Sequence, residues 1–191
     1  GGSNSGPFPE LVGDRYEHPE IKIWWDQGID WVGRLVQETK SRNLEVFWNF
    51  RMAEVEIHKH ENPVKTSHPD WLIKSWYYPG LWNYAVPEVR ENRLEYLKAL
   101  LEKYPLDGIQ LDFARHVPIL PVGSQWENRG HLTEFVRMVR TTLQNFEKKQ
   151  GHPILLSVKL PRNLIGCHAD GFDVETWSKE KLIDIIVMGS R

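Results

Sequence analysis

The sequence predicts an α/β protein of the TIM type, a (β/α) barrel of which this chain contributes about four αβ units. Amphipathic helical stretches alternate with short apolar strands along the chain. Apolar residues occupy one parity of the strands and polar residues the other, which favours a barrel over an open sheet buried on both faces. A complete barrel needs about 250 residues, and the chain has 191. We therefore expect an incomplete barrel; a small doubly wound domain is the alternative.

The first two αβ units follow from apolar spacing and from proline positions. The first helix ends near residues 41–43, and its apolar positions are Ile29, Val32, Leu35 and Val36. A strand is predicted over residues 45–51. The second helix begins at Pro87 and ends before Pro105, and strand 108–113 follows. Its buried stripe is predicted to be Leu94, Leu97, Leu101 and Tyr104. Residues 52–86 exceed an ordinary loop, and such long segments are usually functional.

The remaining units are predicted in the same way. A third apolar helix face consists of Leu132, Phe135, Val136, Val139, Leu143 and Phe146. Gly151 breaks this helix, and strand 154–159 follows. Asp173 is a plausible N-cap for a short helix through Lys179. Residues 183–188 form the last predicted strand.

Composition limits the classes of function. The formal net charge of −2 and the pI near 6.5 give no case for nucleic acid or anionic membrane as a partner, and no apolar run approaches the roughly 18 residues of a membrane span. Residues 1–20 are rich in Gly, Pro and Ser, so we expect an irregular segment or linker rather than a signal peptide, followed by a partial barrel over residues 21–191. The single cysteine, Cys167, excludes an internal disulfide.

The strand pattern also selects candidate site residues. In each of three strands, polar side chains near the carboxyl end share the face opposite the apolar one, which in a barrel is the face of the active-site mouth. These positions are Asn49, Arg51, Gln110, Asp112, Ser157 and Lys159. Asp112 is the one carboxylate among them and is our candidate catalytic residue. Arg115 is expected either to keep it ionised or to form a structural ion pair with it.

Other residues have less specific roles. We expect His116 to hydrogen-bond a sugar hydroxyl at the mouth. Most of the nine tryptophans are expected in the core, and one or two from turn-rich stretches in a sugar-binding cleft. The candidates are Trp24, Trp25, Trp76, Trp82 and Trp126. Lys159 at a strand end makes a Schiff-base enzyme a formal rival.

Metals and cofactors have little support. The pair His58 and His60, with His68 nearby, lacks further ligands at a defined spacing, so no metal site is expected. No glycine-rich phosphate loop follows a strand, and no cofactor is expected.

A glycosidase usually needs two carboxylic acids, and their separation decides between retention and inversion. The sequence does not identify the partner of Asp112. Glu54, Glu56, Asp170, Asp173 and Glu175 follow strands but lack its parity. Asp107 is expected to be a turn residue and Asp173 a helix cap. The second carboxylate is otherwise expected beyond Arg191.

Several segments, in a consistent order, resemble the bacterial glycoside hydrolase family 10-like (β/α) barrel proteins. They are Phe50–Met52, Ser67–Leu72, Leu81–Tyr84, Pro87–Arg90, Asp107–Arg115, Asp173–Trp177 and Leu182–Asp184. The resemblance implies a glycosidase-type barrel with Asp112 as the catalytic carboxylate. A shorter likeness to the amylase-type strand rests on Gly108, Asp112 and His116, with Gln110 where that pattern has an arginine.

The sequence therefore supports a glycoside hydrolase that acts on an oligo- or polysaccharide. Asp112 would be nucleophile or base, and the expected substrate-binding residues are Asn49, Arg51, Gln110, Arg115, His116, Lys159 and Trp82. The alternatives are a non-catalytic carbohydrate-binding barrel and an inactive fragment of a larger hydrolase. A partial barrel exposes strand edges, so self-association is possible. Secretion or a periplasmic location is expected only from the class of substrate.

Overall fold

The computed structural model describes residues 23–24, 26–53, 63–75 and 80–189. Its centre is a parallel sheet of four strands, in the order β1-β4-β5-β6. These strands are β1 (Phe47–Arg51), β4 (Gly108–Asp112), β5 (Leu155–Leu160) and β6 (Ile185–Met188). The order in the sheet follows the order in the chain without a reversal, as in a barrel, whereas a doubly wound sheet reverses at its switch point. The prediction of a partial (β/α) barrel is confirmed.

Four helices occupy the predicted places, and two short ones, over residues 63–67 and 164–170, were not predicted. They are α1 (Trp31–Lys40), α2 (Pro63–Ser67), α3 (Pro87–Lys103), α4 (Arg129–Gln150), α5 (Leu164–Asp170) and α6 (Val174–Lys179). In the long segment after β1, a 3₁₀ turn over Pro69–Trp71 precedes a small antiparallel pair, β2 (Leu72–Ile73) and β3 (Leu81–Trp82). Asp173 caps α6 as predicted, because its Oδ1 accepts a hydrogen bond from the Thr176 amide at 3.1 Å.

Most residues of the predicted apolar stripes are buried. The stripe of α3 is buried along its whole length, and in α4 the stripe is buried as far as Leu143, with Phe146 partly buried against the core. In α1, Val32 and Val36 are buried but Leu35 is 59% exposed, so the prediction for Leu35 was wrong. Val32 and Val36 lie one turn apart and form a narrow contact stripe that Leu35 flanks.

The apolar face of the sheet lies against these helices. Ile109 and Leu111 of β4 and Leu156 and Val158 of β5 are fully buried. On the other face, the Phe47 ring occupies the space beside Gly108: a Cβ atom on Gly108 would lie 2.2 Å from Phe47 Cε1. Gly108 is therefore required for this close approach, which fills the amino end of the polar face.

Two aspartates form hydrogen bonds and ion pairs at the amino ends of neighbouring strands. Asp107, one residue before β4, accepts hydrogen bonds from the Val46 amide at 2.7 Å and from Lys40 Nζ at 2.5 Å. Asp184, one residue before β6, accepts from the Leu156 amide at 2.7 Å and from Arg140 at 2.5 Å. Asp107 is thus more than the turn residue expected from the sequence, because it joins two strands and a helix.

We predict that Asp107→Asn lowers the free energy of unfolding by about 1–2 kcal/mol at pH 7. Burial raises the pKa of Asp107, but the hydrogen bonds from Lys40 and Val46 outweigh it, and the net pKa is lowered. A lowered folded-state pKa stabilises the fold above the unfolded-state pKa, near 3.9, and that contribution disappears as pH falls through the folded-state pKa. Urea unfolding at pH 7 and below about pH 4 measures this, with Glu102→Gln on the exposed face of α3 as control. A difference that does not shrink at low pH would contradict it.

Strand β6 exposes apolar side chains: Ile185, Ile186 and Met188 are all accessible to solvent, unlike their counterparts in β4 and β5. Self-association stays a prediction. We expect the mass measured by light scattering to rise with concentration and Ile186→Lys to reduce that rise, because a charged residue disfavours pairing of an exposed strand. Leu35→Lys is the control at an exposed apolar position of α1. A monodisperse monomer at all concentrations would contradict the prediction.

Candidate active site at the carboxyl ends of the strands

Three charged residues lie side by side across the sheet. The parallel register pairs Arg51 of β1 with Asp112 of β4, and Asp112 with Lys159 of β5. All three alternate with the buried residues of their strands and so share the polar face. The row lies at the carboxyl ends of the strands, where (β/α) barrels carry their functional groups.

Asp112 is the buried centre of this row. Its side chain is 7% exposed, and Lys159 Nζ lies 3.2 Å from its Oδ2. Its Oδ1 accepts a hydrogen bond from the Ala114 amide at 3.0 Å. Both carboxylate oxygens therefore face donors, an arrangement that suits an ionised carboxylate, which can only accept hydrogen bonds.

The cation beside Asp112 is Lys159 and not Arg115. Arg115 is exposed, and within the described residues it has no ion pair. It lies beyond the end of β4, whereas Lys159 is the neighbour of Asp112 in the ladder and points to the same face. The expected Arg115–Asp112 ion pair was therefore wrong. A role for Arg115 in binding substrate stays a prediction.

A row of uncharged side chains lies beneath the charged one. Asn49 Nδ2 donates to Gln110 Oε1 at 2.6 Å, and Gln110 Nε2 donates to Ser157 Oγ at 3.0 Å. These residues are also in register across β1, β4 and β5. The structure thus brings together all six positions that the strand pattern selected, in two layers on one face.

Trp82 is not part of this face. It is 1% exposed, and Lys65 Nζ and Arg93 Cζ lie 4.8 Å and 4.6 Å from its ring centroid. A ring enclosed in this way cannot stack on a sugar, so the expectation for Trp82 was wrong. The turn-rich setting suggested exposure, but β3 places the side chain in the core.

Two other tryptophan candidates differ from Trp82 in their exposure. Trp126 is partly buried, with the His168 ring 4.1 Å and the Arg129 guanidinium 4.4 Å from its own ring centroid. Trp24 is exposed. Trp25 and Trp76 lie outside the described residues.

His116 is partly buried in the loop after β4, and its role at the mouth stays a prediction. Two of the acidic candidates have partners elsewhere: Asp173 lies 3.4 Å from Arg129, and Glu175 2.8 Å from His168. Glu54 and Glu56 lie outside the described residues. None of the described acidic candidates therefore belongs to the strand-end row of Asp112.

Sequence reasoning missed the Ala114 amide as a partner of Asp112. An aspartate side chain commonly accepts a hydrogen bond from the backbone two residues ahead, and this tendency was the available signal. It also missed the direct ion pair between Lys159 and Asp112.

Among the described residues, the residue types that bind metals are dispersed, and the thiol of Cys167 is buried. Among the described residues, no three His, Cys, Asp or Glu side chains are grouped to hold a metal ion, and His58 and His60 lie outside those residues. Cys167 is buried, and burial, with Asp170 and Glu175 nearby, raises the pKa of its thiol to about 11. In the part of the chain that the structure describes, no helix combines the length and apolar character needed to cross a bilayer.

We predict that Asp112 and Lys159 are energetically coupled. A double-mutant cycle with Asp112→Asn and Lys159→Met should give a coupling of about 1 kcal/mol in the free energy of unfolding, a modest value because Lys159 is 38% exposed and solvent screens the pair. Urea denaturation of the four proteins measures it. Strictly additive effects would contradict the ion pair.

Solved structures with a similar fold are glycoside hydrolases. Chitinase ChiW from Paenibacillus sp. str. FPU-7 matches with a TM-score of 0.56 at 14% identity, over 97% of this chain and 19% of that one. A family GH18 chitinase from Chromobacterium violaceum matches with a TM-score of 0.54 at 14% identity, over 82% of this chain and 24% of that one. A noncanonic maltogenic alpha-amylase, AmyB from Thermotoga neapolitana, matches with a TM-score of 0.51 at 14% identity, over 82% of this chain and 30% of that one.

These likenesses concern the fold, and the chain spans less than a third of the length of each of the three structures. No curated protein sequence matches the chain significantly. A family model does match: the one described as Glycosyl hydrolase-like 10 covers residues 4–150, which include the strand that carries Asp112. The barrel topology, the strand-end row and this match agree with the resemblance seen in the sequence, and the chain belongs to the Glycosyl hydrolase-like 10 family.

Proposed function

We propose that this chain is a glycoside hydrolase that acts on an oligo- or polysaccharide, with Asp112 as the nucleophile or the base. The observation that carries the proposal is the position of Asp112. It is a buried carboxylate at the carboxyl end of a barrel strand, with a donor facing each of its oxygens. Membership of a glycosyl hydrolase-like family supports the same conclusion.

The chemistry follows from the acceptor character of Asp112. As a nucleophile, one of its oxygens would attack the anomeric carbon while an acid protonates the departing oxygen. As a base, it would instead remove a proton from an attacking water molecule. Either role needs an ionised carboxylate, and the acid must come from a second residue.

The neighbouring side chains suit a sugar ligand. Asn49 and Gln110 offer amide groups in the layer beneath Asp112, and Arg51 and Lys159 flank it. We propose that these four, with Arg115 and His116 in the following loop, bind sugar hydroxyls. The Schiff-base alternative is less well supported, because the Lys159 amine lies against a carboxylate and an ammonium in an ion pair is not nucleophilic.

A carbohydrate-binding barrel without catalysis is the second candidate. The observation that favours it is that, in the part of the sheet that the structure describes, Asp112 is the one strand-end residue with a carboxylate. Binding of oligosaccharides without release of sugar would identify this function.

We predict that Asp112→Asn lowers the rate of hydrolysis by at least about a hundredfold, because the amide is neither a nucleophile nor a base. Reducing-sugar release is measured on a panel that includes starch and chitin oligosaccharides, since the solved structures of similar fold are described as an amylase and chitinases. The amide keeps an acceptor for Ala114, so circular dichroism should show matched folding. Glu102→Gln is the control for a remote carboxylate.

Full activity of Asp112→Asn would contradict the assignment of Asp112. No release by the parent chain from any substrate would contradict a complete active site within these residues. Calorimetric titration with the same oligosaccharides then tests the binding alternative.

A further inference from the structure

We infer that Lys159 is a positioning residue for Asp112: its ammonium holds the carboxylate in one orientation at the mouth of the barrel. The inference rests on the proposed function of Asp112 and assigns a role to its neighbour in the sheet. Lys159 Nζ lies 3.2 Å from Asp112 Oδ2, on the adjacent strand and in direct register.

The two contacts of Asp112 act on different oxygens. The Ala114 amide faces Oδ1, and Lys159 faces Oδ2. Together they fix the rotation of the carboxylate about its Cβ–Cγ bond, which either contact alone would leave free to turn. A reacting carboxylate must be held in a productive geometry, because misplacement by about 1 Å can cost a hundredfold in rate.

Burial leaves few groups that can contact the carboxylate. With its side chain 7% exposed, Asp112 has little contact with water, and the Lys159 ammonium and the Ala114 amide take the place of hydration. Lys159 supplies the compensating charge from the solvent-accessible side of the pair.

The alternation of side chains along β5 explains why Lys159 is the residue that faces Asp112. Ser157, two residues earlier in β5, faces the uncharged row and accepts from Gln110. The alternation of β5 then places residue 159 in the charged row, opposite Asp112. Arg115 is exposed and makes no ion pair within the described residues, so it does not duplicate the role.

The first test needs no substrate. Hydrogen exchange of the Ala114 amide, followed by NMR, reports whether Asp112 Oδ1 stays in place. We expect Lys159→Met to speed this exchange by about tenfold or more, as Asp112→Ala does by removing the acceptor. The adjacent Phe113 amide donates to the Lys159 backbone carbonyl at 2.9 Å and should be unchanged, which separates a local effect from general loosening.

Lys98→Met is the matched control. Lys98 has a similar exposure, 40%, and pairs with Glu95 at 2.8 Å on helix α3, far in sequence from the site. Unchanged Ala114 exchange in Lys159→Met would overturn the inference, whether or not the chain hydrolyses any glycan.

The second test is kinetic. Lys159→Met should lower kcat by about 10- to 100-fold, both on polysaccharide and on aryl glycosides with a dinitrophenol leaving group, which needs no protonation. Lys159→Cys should behave alike, and alkylation with 2-bromoethylamine, which restores an ammonium of similar reach, should recover most of the activity. Cys167 is buried and should be spared.

The outcomes separate the two claims. Normal turnover of the dinitrophenyl glycosides by Lys159→Met, or failure of the alkylated protein to recover, would overturn the positioning role. No hydrolysis by the parent chain would overturn the proposed function instead, and the exchange experiment would still decide whether Lys159 orients Asp112.

Discussion

The candidate site depends on the register of three parallel strands. Because β1, β4 and β5 align residue for residue, their polar positions fall into two layers, one charged and one uncharged. A slip of one residue in β4 would turn Asp112 toward the helices and bring Leu111 to the mouth. The apolar face prevents that slip, since Ile109 and Leu111 are fully buried against the helices. The packing that stabilises the fold therefore also aligns the polar side chains of the candidate site.

The two ends of the sheet use carboxylates differently. At the amino end, Asp107 and Asp184 accept backbone hydrogen bonds from the neighbouring strand and pair with Lys40 and Arg140 from helices. At the carboxyl end, Asp112 pairs with Lys159, which belongs to the neighbouring strand of the same sheet. Residues at the amino end of a (β/α) barrel serve stability, and the carboxyl end is left for ligands.

Much of this arrangement could be predicted from the sequence, because it follows from periodicity. Alternation along the strands selected Asn49, Gln110 and Lys159, and helical spacing found the buried stripes of α3 and α4. Predictions that depend on tertiary contacts were less successful. Trp82 lies in the core because of the β2–β3 pair, and the partner of Asp112 is its neighbour across the ladder rather than an arginine nearby in the chain. Sequence distance indicates contacts within an element and says little about contacts between them.

The aromatic ring of Phe47 beside Gly108 would affect the path of a glycan in the proposed function. The ring lies one layer below Asn49 and Gln110, towards the amino end of the polar face, and takes up space there. Under that proposal, a saccharide would approach Asp112 from the carboxyl side of the sheet and leave on the same side. Gly108, which carries no functional group, would thus help to set the direction from which a polymer meets the carboxylate.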